Sequence, residues 1–292
     1  METALFLSQL LNGLLDGFYY LLIALGLSLI FSLGGIINLA HGAFFAVGAY
    51  MAIVLAPHVG FFGAVIVGPI LVGALGIVVE RLLFKRFYRI DPLYSLLLTF
   101  GLAMVLEQTL RLIFGSAPLA FNIPDVLRGQ VFMGEFIYSR YRIFTIVVAV
   151  VVVAALWWLL NRTAFGRIVR AGIQNPDILA TLGISLRPYL SAVAAIGIGL
   201  AGLAGVLMAP IHPVHPAMGI EVLVAAFVVV VIGGLGSFWG VVLAAMLVGV
   251  VKGFMVAIDL SSWSLASIYL LMFVVLLVRP RGLMGERITR FE

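Results

Sequence analysis

Cysteine is absent from this sequence of 292 residues, and charged residues are scarce at 10%. The absence of cysteine excludes disulfides, thiolate metal sites and cysteine nucleophiles. Soluble domains carry about 25% charged residues, so the scarcity of charge already separates this chain from them. The net charge of +5 does not indicate a nucleic-acid-binding surface, because the basic residues are scattered along the chain rather than clustered on one face.

Catalytic motifs are also lacking. The sequence contains no HExxH helix, no GxSxG elbow and no GxxxxGK phosphate loop. Its four histidines are too few and too far apart for a metal site. We therefore expect a chain that is not an enzyme and that holds no metal. If it takes part in uphill transport, it does not bind ATP through a phosphate loop of its own.

Hydrophobic residues, in contrast, make up 64% of the chain, against about 45–50% in soluble domains. One soluble core of this size could not bury so much apolar surface, so lipid must be the solvent for much of it. A membrane-spanning helix needs about 20 apolar residues. We predict one membrane domain over residues 1–292, an all-α polytopic transmembrane helix bundle. The N-terminus lacks the positive region of a cleaved signal peptide, so we expect it to be retained.

Nine apolar segments follow one another along the chain. They cover residues 5–33, 36–56, 59–84, 93–114, 141–160, 189–209, 221–232, 239–258 and 264–278. Glycine breaks border the first, second and seventh segments, so some helices are expected to be discontinuous. The predicted number of segments is therefore eight to ten.

The basic residues predict the orientation, because Lys and Arg favour the cytoplasmic side of a membrane. Two long polar intervals separate the segments, residues 161–188 and 115–140. Placing the turn after segment three, the interval 161–188 and the C-terminal tail in the cytoplasm collects twelve of the seventeen basic residues there. The interval 115–140 then forms a periplasmic loop, the N-terminus is periplasmic and the C-terminus is cytoplasmic.

Two glycine-rich breaks resemble each other in the two halves of the chain. Matching breaks point to a midplane pathway in transporters, because unwound backbone at membrane depth is tolerated only where protein or a water-filled cavity covers it. The predicted pathway residues are Asn38, His41, Gly42 and Phe44 at the first break, and Gly233, Gly234, Gly236 and Ser237 at the second. The alternative is a pair of ordinary tight turns between helices.

Charged residues inside apolar segments are costly and are functional candidates by default. Glu107 and Arg111 are spaced i, i+4 with the acid first, which predicts an ion pair on one helix face. Its role is structural or, alternatively, in substrate binding. The other charges in or near segments are Asp16, Glu221, Lys252 and Asp259. No pair of carboxylates is evident among them, as a proton- or sodium-coupled carrier would require.

The interval 161–188 is too long for a simple turn, and its sequence predicts a short amphipathic helix. Asn175 is a good N-cap, Pro176 suits the first helical position, and Asp177 favours the positive end of the helix dipole. Gly183 ends the helix as a C-terminal glycine does. Ala180 and Gly183 are small enough for close approach, so the helix suits docking into a groove of another protein. The alternative is a helix that lies along the lipid surface.

An ordered set of motifs resembles the permease subunits of branched-chain amino acid ABC importers over essentially the whole chain. The matching motifs are IINLAHGAF at 36–44 with GAY at 48–50, RA at 170–171 with NP at 175–176 and Ala180, LGI at 182–184, AGLAG at 201–205, GGLGS at 233–237 and RPRGL at 279–283. The resemblance implies a type II-like ABC importer permease. It also implies that the interval 161–188 contains the coupling helix, with Arg170, Asn175, Pro176, Asp177, Ala180, Leu182, Gly183 and Ile184 as coupling residues.

The resemblance further implies the partners: a second, homologous permease in a heterodimer, two cytoplasmic ATPase subunits that bind ATP and magnesium, and a periplasmic substrate-binding protein. No cofactor is expected on this chain. The expected function is to form half of a translocation pathway for branched-chain or related hydrophobic amino acids across a bacterial inner membrane. The alternatives are the same machine with urea, short amides or another small carboxylate as cargo, or a self-sufficient channel or secondary transporter.

Overall fold

The computed structural model describes residues 2–88, 92–133 and 136–285. Arg89, Arg287 and Arg290, which the orientation argument counts as cytoplasmic, lie outside the described residues. The helices are α1 Glu2–Gly34, α2 His41–Leu82, α3 Pro92–Phe114, α4 Arg140–Arg162, α5 Ala164–Gln174, α6 Pro176–Thr181, α7 Arg187–Met208, α8 Met218–Gly233, α9 Phe238–Ala257 and α10 Ser264–Val278. Seven helical stretches in this part of the chain are long and apolar enough to cross a membrane, and α8 is a shorter apolar helix. The predicted helical membrane bundle is confirmed.

Helix α2 folds back on itself at Gly60. The backbone there has φ 71° and ψ 170°, a conformation that glycine adopts easily because it has no Cβ. In a straight helix, residues 51 and 68 would be about 25 Å apart. A Cβ at Gly68 would instead lie 3.7 Å from the Cβ of Met51. The two arms of α2 are therefore antiparallel and correspond to the second and third predicted segments. With both arms and α8 counted, the nine predicted apolar segments are all present in the described residues.

Contacts between helices define two ends of the bundle. The insert end carries α5 and α6, and there a Cβ at Gly172 would lie 3.1 Å from the Cδ1 of Leu33, near the end of α1. The residues after α10 return to the same end, where Leu283 donates its N–H to the carbonyl of Ile232. The hairpin end lies opposite, and there Arg142 of α4 contacts Asn12 of α1. The described part of α1 thus begins at the hairpin end, and the described part of the C-terminal tail finishes at the insert end.

The interval between α3 and α4 contains a β-hairpin that the sequence analysis did not predict. Strand β1 covers Gln130–Met133 and pairs antiparallel with β2, Phe136–Ser139. Before it, Leu119 and Val214 form an isolated antiparallel bridge that ties the interval to the loop between α7 and α8. Strands of four residues show too little alternation to be separated from a loop by pattern alone.

The core of the bundle is built on close backbone contacts between α1, α2, α7 and α9. A Cβ at Gly48 of α2 would lie 2.2 Å from the carbonyl oxygen of Gly202 in α7. Glycines of α1 and α9 also meet: a Cβ at Gly13 in α1 would lie 2.3 Å from the carbonyl oxygen of Gly249 in α9. Because lipid supplies no hydrophobic force between helices, such close packing carries much of the association energy. Helices α3 and α10 lie at the periphery and leave most of their apolar surface exposed.

Candidate coupling element and translocation pathway

Helix α6 is short, and both of its ends are capped. The Asn175 side chain accepts hydrogen bonds from the backbone N–H groups of Asp177 and Ile178, each at 3.1 Å, and Pro176 occupies the first turn. At the other end Gly183 has φ 75°. The N–H groups of Ile184 and Gly183 donate to the carbonyls of Leu179 and Ala180, both at 3.0 Å. This is the Schellman arrangement that a left-handed glycine permits, so the cap positions predicted from the sequence are the ones that the structure uses.

The two faces of α6 differ in what they contact. Leu179 is 5% exposed and packs toward α5, where a Cβ at Gly172 would lie 3.5 Å from its Cδ1. Ile178 and Leu182 are 57% and 68% exposed, whereas Ala180, two residues after Ile178, lies on the opposite side of the helix. The large apolar side chains of α6 are therefore divided, with Leu179 anchoring the helix and two facing outward. The outer face presents Ile178 and Leu182.

Helix α5 fixes the position of α6 relative to the membrane helices. Thr163 caps its N-terminus by accepting from the N–H of Gly166. Arg170 donates to the carbonyl of Leu160 and to the Asn161 side chain. A cation at the last turn of α4 is favourably placed against the negative end of that helix. Arg170, predicted as a coupling residue, thus ties α5 to α4 and does not belong to the exposed face of α6.

A buried carboxylate joins α2 to α7 just after the insert, and the sequence analysis did not single it out. Glu80 is 3% exposed near the end of α2 and accepts hydrogen bonds from the hydroxyls of Tyr88 and Ser191. Burial, and after it the charge of Glu80, raises the pKa of the Tyr88 hydroxyl, which therefore remains a proton donor at neutral pH. Ser191 lies in the first turns of α7, directly after the insert. A single acid in an otherwise apolar segment was the available sequence signal.

A cavity of about 1220 Å³ surrounds this carboxylate at the insert end. Its wall includes Asp177 and Ala180 from α6, and Arg81, Lys85 and Arg86 from the end of α2 and the turn after it. The cavity separates the outer part of α6 from the membrane helices. The insert therefore contacts the bundle mainly through α5, while the cavity lies between α6 and the membrane helices.

The first glycine break leads from the insert end into the bundle. Residues 36–38 lie outside regular helix between α1 and α2. The Leu39 N–H donates to the Thr99 hydroxyl of α3 at 3.0 Å, and that hydroxyl donates to the carbonyl of Ile37 at 2.9 Å. His41 then places Nε2 3.1 Å from the carbonyl of Ile23 in α1. Ile23 lies eleven residues before Gly34, about 16 Å along the helix, so the unwound segment reaches well into the apolar part of the bundle.

Polar groups on this segment are buried without partners. Asn38 and His41 are both 0% exposed. In the part of the chain that the structure describes, the Oδ1 and Nδ2 atoms of Asn38 have no hydrogen-bond partner. The Nδ1 atom of His41 has none there either. A buried polar group left unpaired costs about 1–3 kcal/mol, so this cost calls for a functional reason. Gly42 packs directly on Gly219, which brings the N-termini of α2 and α8 together beside these groups.

The second break stays at the insert end. Gly233, Gly234 and Gly236 form a tight turn between α8 and α9, and the Ser237 hydroxyl caps α9 by accepting from the N–H of Gly240. A Cβ at Gly236 would lie 3.4 Å from the hydroxyl of Ser32 in α1. His41, in contrast, lies against Ile23, about 13 Å further along α1. The structure therefore does not bring the two predicted pathway sets together at one depth.

Among the described residues, two ion pairs involve helices of the bundle. Glu107 and Arg111 form the predicted pair on α3 at 2.8 Å, with Arg111 43% exposed. The second pair, between Asp16 of α1 and Lys252 of α9 at 2.6 Å, was not predicted. Lys252 also donates to the hydroxyl of Tyr20 at 3.0 Å. The sequence signal was present, since each charge lies beside one of the glycine pairs that bring α1 and α9 together.

Replacing Asp16 by asparagine is expected to destabilise the protein by about 1–3 kcal/mol, because it leaves the Lys252 ammonium without its carboxylate in a partly buried site. The double variant Asp16→Asn, Lys252→Gln should recover part of this loss. Glu107→Gln breaks the pair with Arg111, whose side chain is more exposed. It should lower the free energy of unfolding by no more than about 1 kcal/mol. Thermal unfolding of the purified protein measures all three. Equal melting temperatures for Asp16→Asn and Glu107→Gln would contradict the expectation.

Comparison with known proteins agrees with this geometry. A chain that is helical, crosses the membrane many times and holds a capped helix at one end of the bundle has the architecture of a membrane permease. Residues 9–276 match the family model described as branched-chain amino acid transport system / permease component. The chain belongs to this family.

Individual relatives cover almost the whole chain. The high-affinity branched-chain amino acid transport system permease protein BraD of Pseudomonas aeruginosa is 29% identical over 96% of each chain. LivH of Escherichia coli is 26% identical over 96% of each chain, and LivM of the same organism is 26% identical over 91% of this chain and 67% of its own. The structure of PsaBC from Streptococcus pneumoniae in complex with Fab shares the fold, with a TM-score of 0.52 and 14% identity over 92% of this chain and 91% of that one.

Proposed function

We propose that this chain is a permease subunit of an ATP-driven importer and forms half of a translocation pathway for branched-chain amino acids. Support comes from the family match and from relatives named as permeases of branched-chain amino acid transport systems. The cargo is carried over from those names. The observation within the structure that carries the proposal is α6, a capped helix whose outer face leaves the large apolar side chains of Ile178 and Leu182 mostly exposed.

A second permease and soluble partners complete the proposed machine. The chain resembles both LivH and LivM, two permeases of one organism, which supports a heterodimer with a homologous subunit. Two ATPase subunits, each binding ATP and magnesium, act on α6, and a periplasmic binding protein delivers the amino acid. A ligand shifts a conformational equilibrium only through different affinities for its states. In this machine ATP and the loaded binding protein supply that difference.

The insert end is proposed to face the cytoplasm of a bacterium. Nine basic residues of the described chain lie at this end: Arg81, Lys85, Arg86, Arg162, Arg167, Arg170, Arg187, Arg279 and Arg281. Their number agrees with the preference of Lys and Arg for the cytoplasmic side. The hairpin end is then periplasmic, together with the N-terminus, and the C-terminus is cytoplasmic.

The first glycine break is the proposed lining of the pathway. Asn38 and His41 carry unpaired polar atoms inside the bundle, and a rearrangement that exposes them to water or cargo would remove the cost of leaving them unpaired. Gly42 and Phe44 belong to the same segment. The second break, Gly233 to Ser237, supports the pathway from the insert end and binds the C-terminal tail through the N–H of Met284 and the carbonyl of Gly233.

Reconstitution tests the proposed function. Vesicles that contain this chain, its partner permease and the ATPase subunits should accumulate leucine when ATP and the loaded binding protein are supplied. Vesicles that lack the ATPase subunits should accumulate none. Uphill uptake without the ATPase subunits would contradict the proposal and would favour a secondary transporter. Uptake of urea or short amides in place of leucine would support an ATP-driven importer with a different substrate.

A further inference from the structure

A cavity of about 470 Å³ opens at the hairpin end, away from the residues discussed so far. It lies between the first turns of α1, the hairpin, the start of α4 and the loop after α7. Its polar wall is formed by Ser8, Asn12, Gln130, Ser139, Tyr138 and Arg142. Small-molecule sites in proteins have volumes of about 300–1,000 Å³, so this cavity has the size for one amino acid.

Arg142 is the only cation in the wall of this cavity among the described residues, and it is half-buried. Its guanidinium donates to the side-chain oxygen of Asn12, which is a neutral acceptor. Its Cζ lies 6.0 Å from the ring centroid of Tyr138. A guanidinium has five N–H donors in a planar fork, so its interactions with Asn12 and with the Tyr138 side chain leave donors for a ligand.

Other basic residues of the bundle are paired differently. Arg111, Arg128 and Lys252 each contact a carboxylate at 2.8 Å or less, whereas Arg142 has no such partner in the described ranges. The nearest acid on α1, one turn beyond Asn12, is Asp16, and it is already bound by Lys252. Arg142 is therefore a half-buried cation whose hydrogen-bond partner Asn12 is neutral.

The remaining walls suit the rest of an amino acid. Ile123, Ile137, Pro210 and Ile211 provide apolar surface for a branched side chain. The oxygens of Ser8, Gln130 and Ser139 can accept hydrogen bonds from an ammonium group. Tyr141 fixes one side of the cavity, since its hydroxyl donates to the carbonyl of Leu207 at 2.7 Å. A carboxylate would meet the Arg142 fork, whose geometry matches it with two parallel hydrogen bonds.

We infer that this cavity binds the carboxylate of an α-amino acid through Arg142, as a receiving site within the permease at the end where cargo arrives. The inference rests on the proposed function for the direction of transport and for the side-chain class. It adds that the permease itself recognises the cargo, and that it does so by the α-carboxylate.

Direct binding tests the inference without transport. The permease complex, with its partner and ATPase subunits but without binding protein or ATP, is titrated with labelled leucine and then with leucinamide, which lacks the carboxylate charge. Leucine should bind saturably and leucinamide at least about tenfold more weakly, the factor expected for one lost charge-assisted hydrogen bond. Arg142→Gln should weaken leucine binding by a similar factor. The affinity of Arg142→Lys for leucine should lie between those of the wild type and of Arg142→Gln.

A matched variant controls for the loss of one positive charge. Arg128→Gln removes an exposed arginine of the interval 115–140, paired with Asp125, and should bind leucine normally. Size-exclusion chromatography establishes that each variant is folded.

The outcomes separate this inference from the proposed function. Absence of saturable leucine binding, equal binding of leucinamide, or unchanged binding in Arg142→Gln would each overturn the receiving site. The same complex is then assayed for uptake with ATP and binding protein. Import of leucine by a wild-type complex that shows no direct binding would leave the proposed function in place and refute the site alone. Failure of import in the presence of saturable binding would count against the proposed function and not against the site.

Discussion

Replacing Gly183 by valine is expected to abolish ATP-driven uptake while leaving a folded, membrane-inserted protein that still assembles with its partners. Gly183 has φ 75°, a conformation that costs an L-residue about 1–2 kcal/mol, and more when the residue is β-branched. A Cβ at this position would meet no atom within 4 Å. The effect is therefore confined to the backbone turn that ends α6, and the helix that we propose as the coupling element loses its C-terminal cap. The ATPase activity should continue without uptake.

Two variants separate this effect from side-chain size. Gly183→Asn retains uptake, because asparagine tolerates the left-handed conformation better than other residues do. Gly101→Val introduces the same side chain at a helical glycine of α3 that also has no neighbour within 4 Å, and it should be silent. Uptake and ATP hydrolysis are measured in the same proteoliposomes. Normal coupling in Gly183→Val would show that the α6 cap is not part of the coupling element.

Replacing Gly48 by leucine is expected to prevent folding of the bundle. A Cβ there would lie 2.2 Å from the carbonyl oxygen and 2.5 Å from the Cα of Gly202 in α7. Both are backbone atoms in the most closely packed pair of helices, so no side-chain rotation relieves the clash. Overpacking of a core costs about 1–3 kcal/mol, and more where backbones must separate. We expect a loss of about 3 kcal/mol or more.

Fluorescence-detected size-exclusion chromatography measures the amount of folded protein. Gly48→Leu should give an aggregated or absent peak, and Gly101→Leu, at the exposed glycine of α3, should give the wild-type peak. Gly48→Ala should fall between them, since it adds only the Cβ. A wild-type profile and melting temperature for Gly48→Leu would mean that α2 and α7 do not pack as described.

Local features of the sequence predicted local features of the structure well. The Asn175 cap, the position of Pro176 and the left-handed Gly183 depend on residues within one short helix, so the sequence contains all the information they need. Membrane segments were predictable for a related reason, because each must be apolar over its own length. The turn at Gly60 lies at the start of the third predicted segment, 59–84, close to the predicted boundary with the second.

Features that join distant parts of the chain were not predictable in this way. The Asp16–Lys252 pair links two residues that are 236 positions apart in the sequence. Nothing in the sequence around either residue identifies its partner. The Glu80 network similarly joins α2 to α7 and to Tyr88. Depth was also hidden: the two glycine breaks look alike in sequence, yet one enters the bundle and the other remains at its end. Tertiary packing decides which of the two occurs.

Cross-linking from α6 tests the central claim most directly. The chain has no cysteine, so Ile178→Cys provides a single thiol on the exposed face of α6, to which a maleimide benzophenone can be attached. Irradiation of membranes that contain the assembled transporter should join this position to an ATPase subunit, whereas Gly101→Cys on α3 should give no such product. Labelling of Cys at position 178 from the periplasmic side of intact cells, with no cross-link to the ATPase, would contradict the account.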